Sequence, residues 1–262
     1  YLVTGTVTVQ SGITLTIQPG VVIKSQVSPL NSTIRIKGAI LAQGTQSQPI
    51  VFTSRKDDAY GGDTNNDGNA TTPNAEDWSS IVIESTSGGF SILENCLIRF
   101  GSYYDGALTI DGSSPSIKNC TFFKCKRGLD VIKSGNPVLM NNVFDNCTQV
   151  PVAKDLQTQV SFANNVFNST NNFNAIGLGN SNSDIPGATY TLNKTNVGNI
   201  TNIPYSPLGT LTIPQGNTLS IQAGVIIKSN VYQINSTFII QGTIIAQGEP
   251  NEPIIFTSPK DD

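Results

Sequence analysis

The sequence predicts an all-β solenoid made of coils of about 22–24 residues, and three observations carry that expectation. Asn95-Cys96-Leu97-Ile98, Asn119-Cys120-Thr121-Phe122, Asn141-Asn142-Val143-Phe144 and Asn164-Asn165-Val166-Phe167 recur at spacings of 24, 22 and 23 residues. Apolar residues alternate with a period of two inside the coils, as at Leu15/Ile17, Ile34/Ile36, Ile50/Phe52, Ile81/Ile83, Leu108/Ile110 and Leu129/Val131, so each pair points to one face of a strand. The chain is also only 13% charged and has one Met and no His, with abundant Gly, Asn, Ser and Thr, a composition unsuited to helices. A single coil cannot bury its own apolar face, so repeats of this length stack.

The first coils belong to a longer repeat. Residues 1–58 align without a gap on residues 205–262, with 32 identities at an offset of 204. Residues 1–204 therefore read as one full module and 205–262 as the start of a second copy. That copy stops at Lys260-Asp261-Asp262, the counterpart of Lys56-Asp57-Asp58, and the expectation is a chain that continues in the same register.

Next comes an acidic loop, about residues 57–77. Within Gly61-Gly62-Asp63-Thr64-Asn65-Asn66-Asp67-Gly68, Asp63, Asn65 and Asp67 fit the alternating oxygen pattern of calcium loops. Alternation aims successive side chains at one point, and Gly68 permits a sharp turn. Glu76 and Asp77 follow closely enough to close the shell, with Asp57 and Asp58 as additional candidates. Position twelve is Asn74 rather than Glu and no helices flank the loop, so it is not an EF-hand. The alternatives are structural Ca²⁺ and a solvated polar turn.

From residue 78 the coils are regular. Stacking at the spacing of paired strands places Ile98, Phe122, Phe144 and Phe167 in one internal column. Asn95, Asn119, Asn141 and Asn164 fall at a corner, where Asn tolerates a left-handed backbone and its amide can bond the next coil. Cys96 with Cys120 and Cys125 with Cys147 occupy equivalent coil positions. They read as stacked buried thiols or as disulfides between coils; zinc is disfavoured by the absence of His and of a C-x-x-C pair. About residues 168–206 the pattern weakens into a polar excursion with one coil at Ala188-Thr189-Tyr190-Thr191-Leu192, or a linker.

These features resemble the right-handed parallel β-helix proteins, the group that includes pectate lyases, in which such asparagine ladders occur. The resemblance covers essentially the whole chain and implies a fold, not an activity. The acidic loop is similar to calcium-type insertions of bacterial surface β-helices that precede a Trp-led strand, here Trp78-Ser79-Ser80-Ile81.

The remaining signals bear on function. A net charge of −3 with 15 scattered Lys and Arg residues argues against nucleic acid, and no apolar run reaches the roughly 18–20 residues of a membrane span. Outward threonines such as Thr6, Thr8, Thr14 and Thr16 could form an ice-binding array, but Arg35 and Lys37 interrupt it, so β-propensity explains them. Of the N-x-S/T sequons, Asn31 and Asn235 are the better glycosylation candidates because they sit in equivalent loops. Arg99 with Asp105 and Asp111 is the nearest approach to a catalytic cluster, and a solvated loop is its simpler explanation. Tyr103, Tyr104 and Asp105 suit carbohydrate, since aromatics stack on sugars and Asp accepts their hydroxyls. The expected function is a structural segment of an extracellular or cell-surface filament, stalk or surface layer, not an enzyme. Its expected partners are copies of itself or further repeats. A carbohydrate-binding adhesin is the alternative, and a polysaccharide-active enzyme the third.

Overall fold

The computed structural model describes residues 1–26, 32–85, 90–179, 186–229 and 236–261. Asn31 and Asn235 lie outside the described residues. Among those residues the regular structure is strand only, and every paired strand is parallel to its neighbours. The chain is a parallel β-helix of about nine turns, as the ten strands of its longest sheet count them.

Three sheets form the body of the first module. The first holds Leu2–Val3, Val22–Ser25, Ile50–Ser54, Cys96–Arg99, Thr121–Phe123, Val143–Asp145 and Val166–Phe167. The second runs from Thr6–Val9 to Ile255–Thr257, and the third from Thr14–Ile17 to Phe162–Ala163. Successive coils contribute one strand to each. The registers are those the apolar alternation requires: Ile34 pairs with Ile81, Ile81 with Leu108, and Leu108 with Leu129. Ile98, Phe122, Phe144 and Phe167 form the expected column. The Phe122 and Phe144 rings stack with centroids 4.6 Å apart and planes 3° from parallel, a separation set by the strand spacing itself. Each such fully buried side chain contributes about 1.5–3 kcal/mol.

The asparagine corner forms as expected, with φ of 48° at Asn95, 53° at Asn119, 56° at Asn141 and 55° at Asn164. The continuous ladder, however, is carried one residue later, inside. Asn142 and Asn165 are fully buried and continue the column that begins with Cys96 and Cys120. The Cys120 amide donates to Asn142 Oδ1 at 2.9 Å, and Asn142 Nδ2 donates to the Ile117 carbonyl at 2.9 Å. Asn165 repeats this with the Asn142 amide at 3.0 Å and the Leu139 carbonyl at 3.0 Å. The thiols do a weaker version of the same work: Cys96 Sγ reaches the Ala42 carbonyl at 3.4 Å and Cys120 Sγ that of Leu93 at 3.5 Å. A second column, Cys125 and Cys147, ends likewise on Asn171, whose Oδ1 accepts from the Cys147 amide at 2.8 Å. All four thiols are free and buried, so the disulfide alternative does not describe this fold. Burial pushes the Cys125 thiol up to about 12.

The polar stretch after residue 168 contributes Ile176–Leu178 to the second sheet and Thr189–Leu192 to a new one. The second copy does not repeat the faces of the first. Tyr205–Pro207, Ile226–Lys228 and Ile255–Thr257 are the counterparts of strands in the first sheet, yet they extend the second. The counterparts of Thr6–Val9 and Thr14–Ile17, at Thr210–Ile213 and Thr218–Ile221, stand in separate sheets. One apolar core nevertheless runs unbroken from Val3 to Ile227.

Candidate metal centre

The insertion between Ile50–Ser54 and Ser80–Glu84 packs against the outer side of the first sheet. For that reason Val51, Thr53 and Ser54 are as buried as the inward Ile50 and Phe52. Its root is a buried ion pair. Asp57 accepts from Arg99 Nη1 at 2.8 Å and from Thr53 Oγ1 at 2.5 Å. The Arg99 guanidinium also lies 4.8 Å from the Tyr60 ring centroid and 4.9 Å from that of Phe100. Lys24 Nζ donates to the Gly62 carbonyl. At the return, Trp78 is 1% exposed and its Nε1 donates to the Arg99 carbonyl at 2.6 Å, while the Asp77 amide reaches the Phe100 carbonyl at 2.9 Å.

Between these anchors the loop folds three carboxylates together. One oxygen each from Asp58, Asp63 and Asp67 lies within 4.8 Å of the others. The turn that brings them there uses left-handed backbone at Asn66, φ 56°, and Gly68, φ 67°, where glycine is favoured. Asp63 accepts from the Gly68 amide at 2.8 Å and the Asp67 amide at 3.2 Å, and the Gly68 bond foremost holds its carboxyl below the usual range. Asp67 Oδ2 accepts from Asn65 Nδ2 at 2.7 Å and Thr71 Oγ1 at 2.5 Å. The other oxygen of Asp67, Oδ1 of Asp58 and Oδ1 of Asn65 are buried with no hydrogen-bond partner. Unpaired buried acceptors are costly, and clustered carboxylate oxygens are the donor set a hard divalent cation takes.

Of the residues expected from the sequence, Asp63 and Asp67 are therefore brought together, with Asn65 bonded to Asp67. Glu76 and Asp77 are not in the cluster. Glu76 pairs with Lys126 at 2.7 Å, and Asp77 with Lys56 at 2.7 Å and Ser54 at 2.7 Å. Proximity in sequence suggested a closing role for both, but Lys126 of the next coil takes Glu76 and Lys56, at the root of the insertion, takes Asp77. Asp58 stands in the place they were expected to fill.

Tyr103 and Tyr104 are 40% and 60% exposed and meet edge-to-face with centroids 4.6 Å apart; Asp105 beside them is exposed. Beneath this loop lie two residues the sequence did not single out. Asp130 is 7% exposed and pairs with Arg127 at 2.8 Å. Burial pushes its carboxyl up, with Arg127 opposing that shift. Arg99 and Asp111 do not join a cleft with Asp105, because Arg99 is committed to Asp57 and Asp111 to Lys133 at 2.8 Å.

Residues 1–96, which include the whole insertion, match the model of a family described as a pectate-lyase-like β-helix domain. No curated protein and no solved structure matches the chain.

Proposed function

We propose that the chain is a structural, length-building segment of an extracellular or cell-surface protein, and that its insertion is held folded by Ca²⁺ at Asp58, Asp63 and Asp67. One observation carries the first part. The second copy of the module adds its strands directly to a sheet of the first, from Ile176–Leu178 to Tyr205–Pro207, over one continuous core. Repetition here lengthens a rod and does not string separate domains on a linker. From Thr6–Val9 to Tyr205–Pro207 is seven steps up one sheet, so a module adds roughly 35 Å at ~4.8 Å per coil. Ile244 and Phe256, both more than 40% exposed, continue the inward columns of Leu219 and Ile227 and are suited to cover by a further coil. Chains of one, two and three modules, measured by electron microscopy and small-angle scattering, should lengthen by that increment. Beads of independent orientation would overturn the reading.

For the ion, three converging carboxylates and three unpartnered buried oxygens favour occupancy over a solvated turn. Chelator should lower the melting temperature of the native chain and leave an Asp58→Asn, Asp63→Asn variant unmoved. A chain that binds no Ca²⁺ and melts alike in both conditions would remove this part only.

The exposed Tyr103–Tyr104 pair favours an adhesin as the second reading. Glycan binding abolished by Tyr103→Ala would promote it. An enzyme stands third, and release of product from an acidic polysaccharide would promote that.

A further inference from the structure

Beside Tyr1 the β-helix opens in an apolar groove of about 350 Å³, lined among others by Val7, Leu15, Ile17, Val21 and Ile34. We propose that this groove is the docking site of a module-ending segment equivalent to residues 188–203, supplied by another copy of the module. Such a partner presupposes the length-building reading above, and it specifies which residues meet at a junction.

The second copy shows the same face already covered. Its coils stack in the registers of the first: Thr6 on Thr33 and Thr14 on Ala39 recur as Thr210 on Thr237 and Thr218 on Thr243. Against it, Thr189–Leu192 pairs with Thr218–Ile221, and the amides of Thr218 and Gln222 donate to the carbonyls of Ala188 at 2.9 Å and Leu192 at 3.0 Å. Tyr190, Leu192, Val197 and Ile203 are buried in the core there. Asn202 Nδ2 closes the segment onto the Gly224 carbonyl at 2.7 Å.

The first copy presents this face without that cover. Leu15, Ile17, Gly20 and Val21 are the counterparts of Leu219, Ile221, Gly224 and Val225. Thr14–Ile17 is an edge strand, paired on one side only among the described residues. Val7 is 45% exposed where its counterpart Leu211 is 1% exposed, and Ile13 is 58% exposed where Asn217 is 2%. Two side-chain contacts differ between the copies. Asn217, which accepts from the Ala188 amide at 3.2 Å and donates to the Tyr190 hydroxyl at 3.1 Å, is replaced by Ile13. Glu252, paired with Lys194 at 2.6 Å, is replaced by Gln48. The first copy's face is therefore the more apolar and the less charged of the two. Pairing an edge strand and covering apolar side chains both favour docking, and one segment does both.

The test joins a second copy of residues 168–204 to the amino terminus of the whole chain, so that its last proline precedes Tyr1 as Pro204 precedes Tyr205. Amide hydrogen exchange is compared with a chain carrying a glycine-serine leader of equal length. The amides of Thr14 and Gln18 should exchange about tenfold more slowly with the graft, and Tm should rise. Tyr190→Asp with Leu192→Asp, made in the graft alone, should return both readings to those of the glycine-serine leader. Protection no greater than that leader gives, or protection unchanged by the two aspartates, would overturn the proposal and leave the rod-length measurement untouched. Independent beads in the length measurement would instead remove the reading beneath it. Self-association of the ungrafted chain that protects the same amides and is abolished by Val7→Asp would make the far end of a second chain the occupant, and would overturn the assignment to 188–203.

Discussion

Replacing Lys154 with methionine should stabilise the protein at neutral pH. Lys154 occupies an inward position, registered between Val131 and Leu178, and is 3% exposed. Its Nζ donates to the carbonyls of Asp155 at 3.1 Å and Thr158 at 2.6 Å. Burial pushes its ammonium down to about 8 from 10.5, with Asp155 opposing that shift. The unfolded chain holds this proton more tightly, so the destabilising contribution is complete below about pH 8 and vanishes above about 10.5. The difference amounts to about 3 kcal/mol at pH 7, of which about 2 kcal/mol is recovered by pH 9.5. Methionine fills the column without the charge, but leaves two carbonyls without donors at a cost of about 1–2 kcal/mol. The net gain at pH 7 is about 1–2 kcal/mol, or about 4 °C in Tm for a chain of this size. Urea denaturation at pH 7 and 9.5 should show the wild-type chain gaining about 2 kcal/mol relative to Lys154→Met. Parallel pH profiles for the two proteins would falsify the electrostatic account, as would a variant less stable than wild type at pH 7.

Three further outcomes follow from the core and the asparagine corner. Asn142→Ala should cost about 4 kcal/mol, because it strands the Cys120 amide and the Ile117 carbonyl in the dry interior; Asn142→Cys should cost less, since a thiol serves at the two preceding rungs, and equal losses would refute that equivalence. Asn119→Ala, at the exposed corner, should cost about 1 kcal/mol or less in the same assay. A thiol reagent at pH 8 should label none of the four cysteines in the native chain and all four after denaturation, because burial raises Cys125 and Cys147 and the Cys120 contact together with burial raises Cys96; rapid labelling of the native protein would contradict this.

The coil was legible because two signals reinforced each other. The 22–24-residue recurrence set the turn, and apolar alternation set which side of each strand is inside. Where both operate, as at Phe122 and Phe144, the register follows without ambiguity. The paired asparagines were less legible. Asn141 and Asn142 are adjacent and chemically identical, and only the left-handed corner at Asn141 turns its neighbour inward. Asn142 shares a column with Cys120, which is visible in the alignment once polar residues are admitted to the core. Lys154 carries no sequence mark of burial, since its charge argues for the surface. The metal loop was half legible. Alternation located Asp63 and Asp67, but Glu76 is taken by a lysine that stacking brings near, Lys126, and Asp77 by Lys56 across the root of the insertion. Asp58 belongs to the cluster through the fold of a loop that leaves the first sheet and re-enters at the second.

The transfer of the second copy from one sheet to the next has a geometric consequence. A module spans about seven and a third coils, because its first strand returns one face further round a three-sided prism. In any chain carrying the module in tandem, each insertion would thus point about 120° from the one before, and alignment returns only after three modules. Three modules are 22 coils, on the order of 105 Å. The insertions then trace a spiral stair around the shaft, and a flat neighbour lying along one side meets a single insertion in every three.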